Sequence, residues 1–109
     1  MPTSVDNRMK MDSFKSFVLD QLADLNGRTS RAMFGGYGLS LRGTFFGIVH
    51  KGRLYFKVTE ITVPRYKEHG MKPFRPNAKQ TLKSFYEVPV DVIEDAETLT
   101  QWAKQSIER

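Results

Sequence analysis

The 109-residue chain contains no cysteine. Disulfides, thiolate metal sites and cysteine nucleophiles are therefore excluded. Histidine is scarce as well. His50 reads as a turn residue and His69 as a helix end, and neither has a second histidine or a carboxylate at helical spacing. Two solvated histidines are expected, with no zinc or iron centre. No serine sits in a G-x-S-x-G turn, and neither G-x-G-x-x-G nor G-x-x-x-x-G-K-S/T occurs. Long apolar runs are missing too, so no membrane-spanning helix is expected. Residues 1–11 lack the apolar centre of a signal peptide. The expectation is a cytoplasmic protein with no enzymatic activity, no cofactor and no metal.

What is present centres on glycine. Gly35, Gly36 and Gly38 fall within Arg31-Ala32-Met33-Phe34-Gly35-Gly36-Tyr37-Gly38. Three glycines in four residues disfavour a helix and serve where the backbone turns or is closely approached. Strongly β-patterned sequence follows. We read the glycines as a structural bend or bulge that launches a meander. The competing reading, a phosphate-binding loop, lacks both the spacing and a strand–loop–helix setting. If a side chain of this stretch is functional, Arg31 or Tyr37, which flank the bend, is the better candidate.

Residues 1–11 show no periodicity and are expected to form a flexible tail before a single domain over 12–109. Asp12 or Ser13 is expected to cap a helix reaching Leu25, with Phe14, Phe17, Val18, Leu22 and Leu25 in one apolar stripe. Gly27 fits its end. Arg28–Met33, Tyr37–Leu41, Thr44–Val49 and Arg53–Val58 read as strands, joined at Arg42-Gly43 and Lys51-Gly52 by tight turns. Thr62, Val63 and Pro64 open a short helix that Gly70 stops. Pro73 and Pro76 make residues 71–79 a loop or a broken edge strand. Leu82–Val88 is a further strand. Asp95 then caps a helix with Leu99, Trp102, Ala103 and Ile107 on its apolar side. The crowding of Asp91, Glu94, Asp95 and Glu97 is explained by that helix start, where the dipole favours negative charge.

The order predicts an α+β domain of two layers, an antiparallel sheet with helices on one face. If the helices cover the face carrying Leu39, Phe56 and Tyr86, then Phe45, Val49, Tyr55 and Phe85 are left on the other. Nothing remains to cover them, so they form a candidate protein interface, with a homodimer or another protein as partner. A one-residue error in strand phase would invert every face.

Charge is uneven. Residues 51–83 hold nine basic and two acidic side chains, whereas residues 84–109 hold two basic and six acidic ones. Lys51, Arg53, Lys57, Lys72, Arg75, Lys79 and Lys83 form a candidate nucleic-acid patch. Tyr55 beside Lys57 and Phe85 beside Lys83 could stack bases. Solvated faces, or patches that meet within the fold, explain the same distribution. Aromatics packed as core and interface explain the rings, which mostly alternate as core residues do.

The glycine stretch, as Arg31-x-Met33-Phe34-Gly35-Gly36-x-Gly38, resembles the N-terminal domain of the TfoX/Sxy family of bacterial competence regulators. Gly43-x-Phe45-Phe46-Gly47, Gly52-x-Leu54-Tyr55-Phe56-Lys57-Val58, Gly70-x-x-Pro73-Phe74, Tyr86-x-Val88-Pro89, Glu94-Asp95 and Leu99-x-x-Trp102-Ala103 continue the pattern in order. The resemblance spans residues 12–108. It implies a two-layer fold akin to secretion chaperones, no enzymatic activity and no cofactor. It also implies a part in switching on competence genes with a cyclic-AMP receptor type activator. Full-length members carry a second, helical domain, and this sequence ends at Arg109. The expectation is a domain that works by protein contact, with no family ligand residues to assign.

Overall fold

Strand patterns at six places assemble into one open antiparallel sheet in the computed structural model, which describes residues 7–33 and 35–107. The chain runs α1 (Asn7–Gln21), β1 (Arg28–Met33), β2 (Gly36–Leu41), β3 (Thr44–His50), β4 (Arg53–Lys57), α2 (Val63–Glu68), β5 (Pro73–Asn77), β6 (Gln80–Glu87), α3 (Val90–Ile93) and α4 (Ala96–Ile107). The strand order is β1-β2-β3-β4-β6-β5. The meander holds through β4. The chain then crosses through α2 to the outer edge, and β6 returns to pair with β4.

Local chemistry explains the turns. Arg42 and Gly43 have φ of 50° and 88°, and Lys51 and Gly52 have 51° and 74°. Positive φ at both central residues defines the two-residue turn whose twist matches a hairpin.

One core fills the space between sheet and helices. Val18, Leu22 and Leu25 meet Leu39, Phe46, Val49, Leu54, Phe56, Tyr86 and Val88, and Leu99, Trp102 and Ala103 close it from α4. Full burial of a side chain such as Phe56 or Leu54 is worth about 1.5–3 kcal/mol. The two-layer reading with helices on the Leu39–Phe56–Tyr86 face holds.

Details differ. The first helix begins at Asn7, earlier than the expected cap at Asp12 or Ser13. The rest of the expected tail, residues 1–6, lies outside the described residues. Phe17 is 42% exposed and leaves the stripe, because it sits about 100° around the helix from Val18. The expected Thr62 cap occupies the N-cap position of α2, but its hydroxyl accepts from the Thr59 N–H at 2.9 Å rather than capping. Residues 73–77 are an edge strand, as the prolines allow. The four-residue α3 carries no signal long enough to read in the sequence. Asp95 stands before α4 and accepts from Thr98 Oγ1 at 2.8 Å.

Candidate functional site

The glycine stretch folds as the β1–β2 hairpin. Pairing runs without interruption from Arg28↔Leu41 to Met33↔Gly36, and the chain reverses at Gly35, where φ is 75°. Tyr37, Leu39 and Leu41 pack toward the helices. By alternation, Gly36, Gly38 and Ser40 point to the far face. There β2 presents almost bare backbone. A Cβ on Gly38 would overlap Met33 Sδ and lie 2.9 Å from Phe45 Cε1, and a Cβ on Gly36 would overlap the Val49 carbonyl oxygen. The glycines let neighbouring strands close over β2. Arg31 is exposed on β1. Tyr37 is half-buried, with Lys15 Nζ 4.4 Å from its ring centroid.

The far face brings together three of the four expected interface residues. Phe45, Tyr55 and Phe85 cluster there with Ile48, Phe74 and Leu82. Val49 does not join them, and it is fully buried in the helix-side core. The cause is a bulge. Leu39 pairs with Gly47 but Ser40 pairs with Phe45, so Phe46 is an extra residue. An extra residue switches the side-chain phase. Before it Phe45 faces away from the helices; after it Ile48 does, and Val49 faces in. β6 shows the same effect: its register against β5 jumps between Tyr86 and Leu82, which places Leu82 with Phe85.

Nor is the far face open. Tyr55 and Phe85 are each only 8% exposed. Phe74, fully buried, stands 4.6 Å from the Tyr55 ring and 5.2 Å from His50, while Phe45 and Phe85 are 5.3 Å apart. The β5 edge strand thus seals a second small core. What stays half-exposed is Met33, Phe45 and Leu82. Base stacking on Tyr55 or Phe85 loses its geometric basis, since a base needs an open ring face.

Burial sets the chemistry of this core. His50, expected at a solvated turn, is buried, and its pKa is lowered first by desolvation and then by Lys51. The Tyr55 hydroxyl is pushed up by burial and by Glu87, against the pull of Arg53. Phe74 is the residue that sequence reasoning missed. Its signal was an aromatic between two prolines, in a stretch that read as a loop or a broken edge strand.

The cations spread over the β3–β4 turn, β4, the residue just before β5 and the β5–β6 hairpin. Two of the seven are engaged. Arg53 Nη1 donates to both carboxylate oxygens of Glu87 at 3.0 Å, and Arg75 donates to the Ala78 carbonyl at 2.9 Å. Lys51, Lys57, Lys72, Lys79 and Lys83 are exposed.

On the helix side, α2 wraps Trp102. Tyr66 and His69 meet its indole edge to face at 4.8 and 5.5 Å, and the Arg65 guanidinium lies 4.6 Å over it. His69 Nδ1–H donates to the Arg65 carbonyl at 2.8 Å. Tyr66 is almost wholly buried, which raises its hydroxyl pKa to about 12. These contacts dock α2 on α4. A shallow groove of about 290 Å³ opens elsewhere, among Asp24, Asn26, Leu41, Arg42 and Lys104. It pairs no nucleophile with a base. Among the described residues, no three histidine or acidic side chains gather as metal ligands, and no helix is long and apolar enough to cross a membrane.

Comparison with individually curated proteins gives no match. A family model does match, described as the TfoX N-terminal domain, over residues 20–109. Those residues hold the glycine hairpin, the bulged β3, the Phe74 edge strand and the Trp102 helix. The chain therefore belongs to the TfoX N-terminal domain family.

Proposed function

We propose that this domain is a non-enzymatic, cytoplasmic regulator that works by protein contact. It would assist a cyclic-AMP receptor type activator at competence or related promoters. The family match over residues 20–109 carries this reading. The contact surface is the part of the far face that β5 leaves uncovered: the half-buried Met33 and Phe45, with exposed Arg31 and Lys57 beside them. Half-buried apolar groups bordered by arginine resemble the anchors of protein interfaces. The test is capture of a purified cyclic-AMP receptor type activator by the immobilised chain, together with a promoter reporter in cells. Binding and reporter gain that Phe45→Asp or Lys57→Glu removes, in variants that keep the wild-type circular dichroism spectrum, support the reading. No binding and no reporter change with the wild-type chain overturn it.

A second reading, nucleic-acid binding, draws on the exposed Lys51, Lys57, Lys72, Lys79 and Lys83. Affinity for a DNA or RNA duplex would then fall steeply with salt. An unchanged fluorescence anisotropy at low salt overturns it.

A further inference from the structure

The sheet has two outer strands, β1 and β5, and they are finished differently. β5 carries Pro73 and Pro76, which have no N–H to offer, and its register against β6 shifts twice. Prolines and bulges are how proteins blunt a sheet edge. β1 has neither. Its six residues pair one for one with β2.

The amides of β1 point alternately inward and outward. Arg42 N–H donates to the Gly27 carbonyl at 3.4 Å, so Gly27 bonds toward β2. Thr29, Arg31 and Met33 follow the same phase. Arg28, Ser30 and Ala32 then aim their backbone groups away from the sheet. The Arg28 N–H is taken by the Leu25 carbonyl at 3.3 Å. Among the described residues, the N–H and C=O groups of Ser30 and Ala32 and the C=O of Arg28 line an unpaired edge.

We propose that β1 pairs antiparallel with β1 of a second copy about a twofold axis through Ser30. The two sheets then continue edge to edge with their helices on the same side. Opposed residues must share a face, so the axis passes through a residue and not between two. An axis through Arg31 sets Arg31 against its own copy, and like charges directly opposed are destabilising. An axis through Thr29 shortens the overlap. Centring on Ser30 opposes Arg31 to Thr29 and Arg28 to Ala32, so no two cations face each other. The Arg28 guanidinium is already turned away, its Nε donating to the Leu19 carbonyl at 2.7 Å. In this register the two Ser30 residues exchange both backbone bonds, and each Ala32 N–H reaches the Arg28 carbonyl of the other copy. This inference goes beyond the regulatory reading and does not rest on it.

The test is sedimentation velocity of the whole chain from micromolar to near-millimolar concentration, with amide exchange read at Ser30 and Ala32. The mass is expected to rise from 12.6 kDa toward twice that value, with the two amides protected as it does. Ser30→Pro removes only an outward N–H, so it is expected to stay folded and remain at 12.6 kDa throughout. Thr29→Glu sets a carboxylate opposite Arg31 of the other copy and is expected to tighten the dimer roughly five-fold, and Thr29→Arg to weaken it by a similar factor. A wild type that stays monomeric overturns the proposal, including one whose Ser30 and Ala32 are protected at every concentration. A folded Ser30→Pro that still dimerises overturns it as well. Should Ser30→Pro unfold, equal dimerisation by Thr29→Glu and Thr29→Arg overturns it. A monomer leaves the regulatory reading standing.

Discussion

Phe45 and Phe85 stand with ring centroids 5.3 Å apart although β4 runs between their strands. Lys57 of β4 pairs directly with Phe85, so the two rings lean toward each other above the root of that lysine. The contact ties β3 to β6. It helps turn a face that period-two reading leaves open into a second core.

Truncating this core should therefore cost stability and not merely expose a surface. Phe85→Ala removes a buried ring and is expected to destabilise by about 3–5 kcal/mol. Phe45→Ala, at a half-buried position, is expected to cost about 1–2 kcal/mol. Urea unfolding midpoints of the two variants check the order. Equal and negligible losses would mean that the far face is solvated.

Gly36→Ala and Gly38→Ala should differ. At Gly36 the obstacle is the backbone oxygen of Val49, which cannot move without breaking the ladder. At Gly38 it is mainly the flexible Met33 side chain. We expect Gly36→Ala to cost about 2–3 kcal/mol and Gly38→Ala about 1 kcal/mol, in the range of overpacking. Thermal unfolding of both decides it. A Gly36→Ala protein as stable as wild type would show that the strand can shift.

Stability should fall on mild acidification because of His50. Burial, then Lys51, lowers its pKa in the folded chain. Just below the ordinary value of about 6.5 the unfolded chain binds the proton and the folded one does not. Stability contributed by neutral His50 is thus whole above that value and lost as pH falls from it toward the lowered pKa. His50→Gln should flatten this limb. Denaturation midpoints between pH 7.5 and 5 read it out, and an unchanged slope in the variant would assign the limb to other groups.

An alkaline limb should come from Tyr66. Desolvation by burial raises its pKa to about 12, despite the opposing Ser106 hydrogen bond and the charge of Arg65. Between about pH 10 and 12 the unfolded chain loses the proton first, so stability falls by about 2–3 kcal/mol across the window. Tyr66→Phe should be less pH-sensitive there, measured by urea unfolding at pH 9 and 11.

Much of the architecture was legible. The two turns needed positive φ, and Arg42-Gly43 and Lys51-Gly52 announced it. The Val18–Leu22–Leu25 and Leu99–Trp102–Ala103 spacings marked the helix faces, and the prolines sent residues 73–77 to an edge. The glycine stretch was read as a bend, and the hairpin places it there with Met33 and Phe45 closed over it. The candidate site was legible only in part. Phe45, Tyr55 and Phe85 do share a face, but Val49 does not, because the register shift at Phe46 has no signature in the alternation itself. His50 looked like a turn residue, and nothing in a loop or broken edge strand marked Phe74 as the lid of a second core.

The sequence by itself determined most of the element types, though not α3, together with the order of the turns, the absence of thiol chemistry and the family. Those follow from short-range steric and hydrophobic periodicity, which neighbouring residues encode. Tertiary structure alone decided which strand edge stays unpaired, where β3 changes phase and that β5 folds Phe74 over Tyr55 and His50. These depend on register between strands far apart in the chain, where one extra residue at Phe46 exchanges one face for the other.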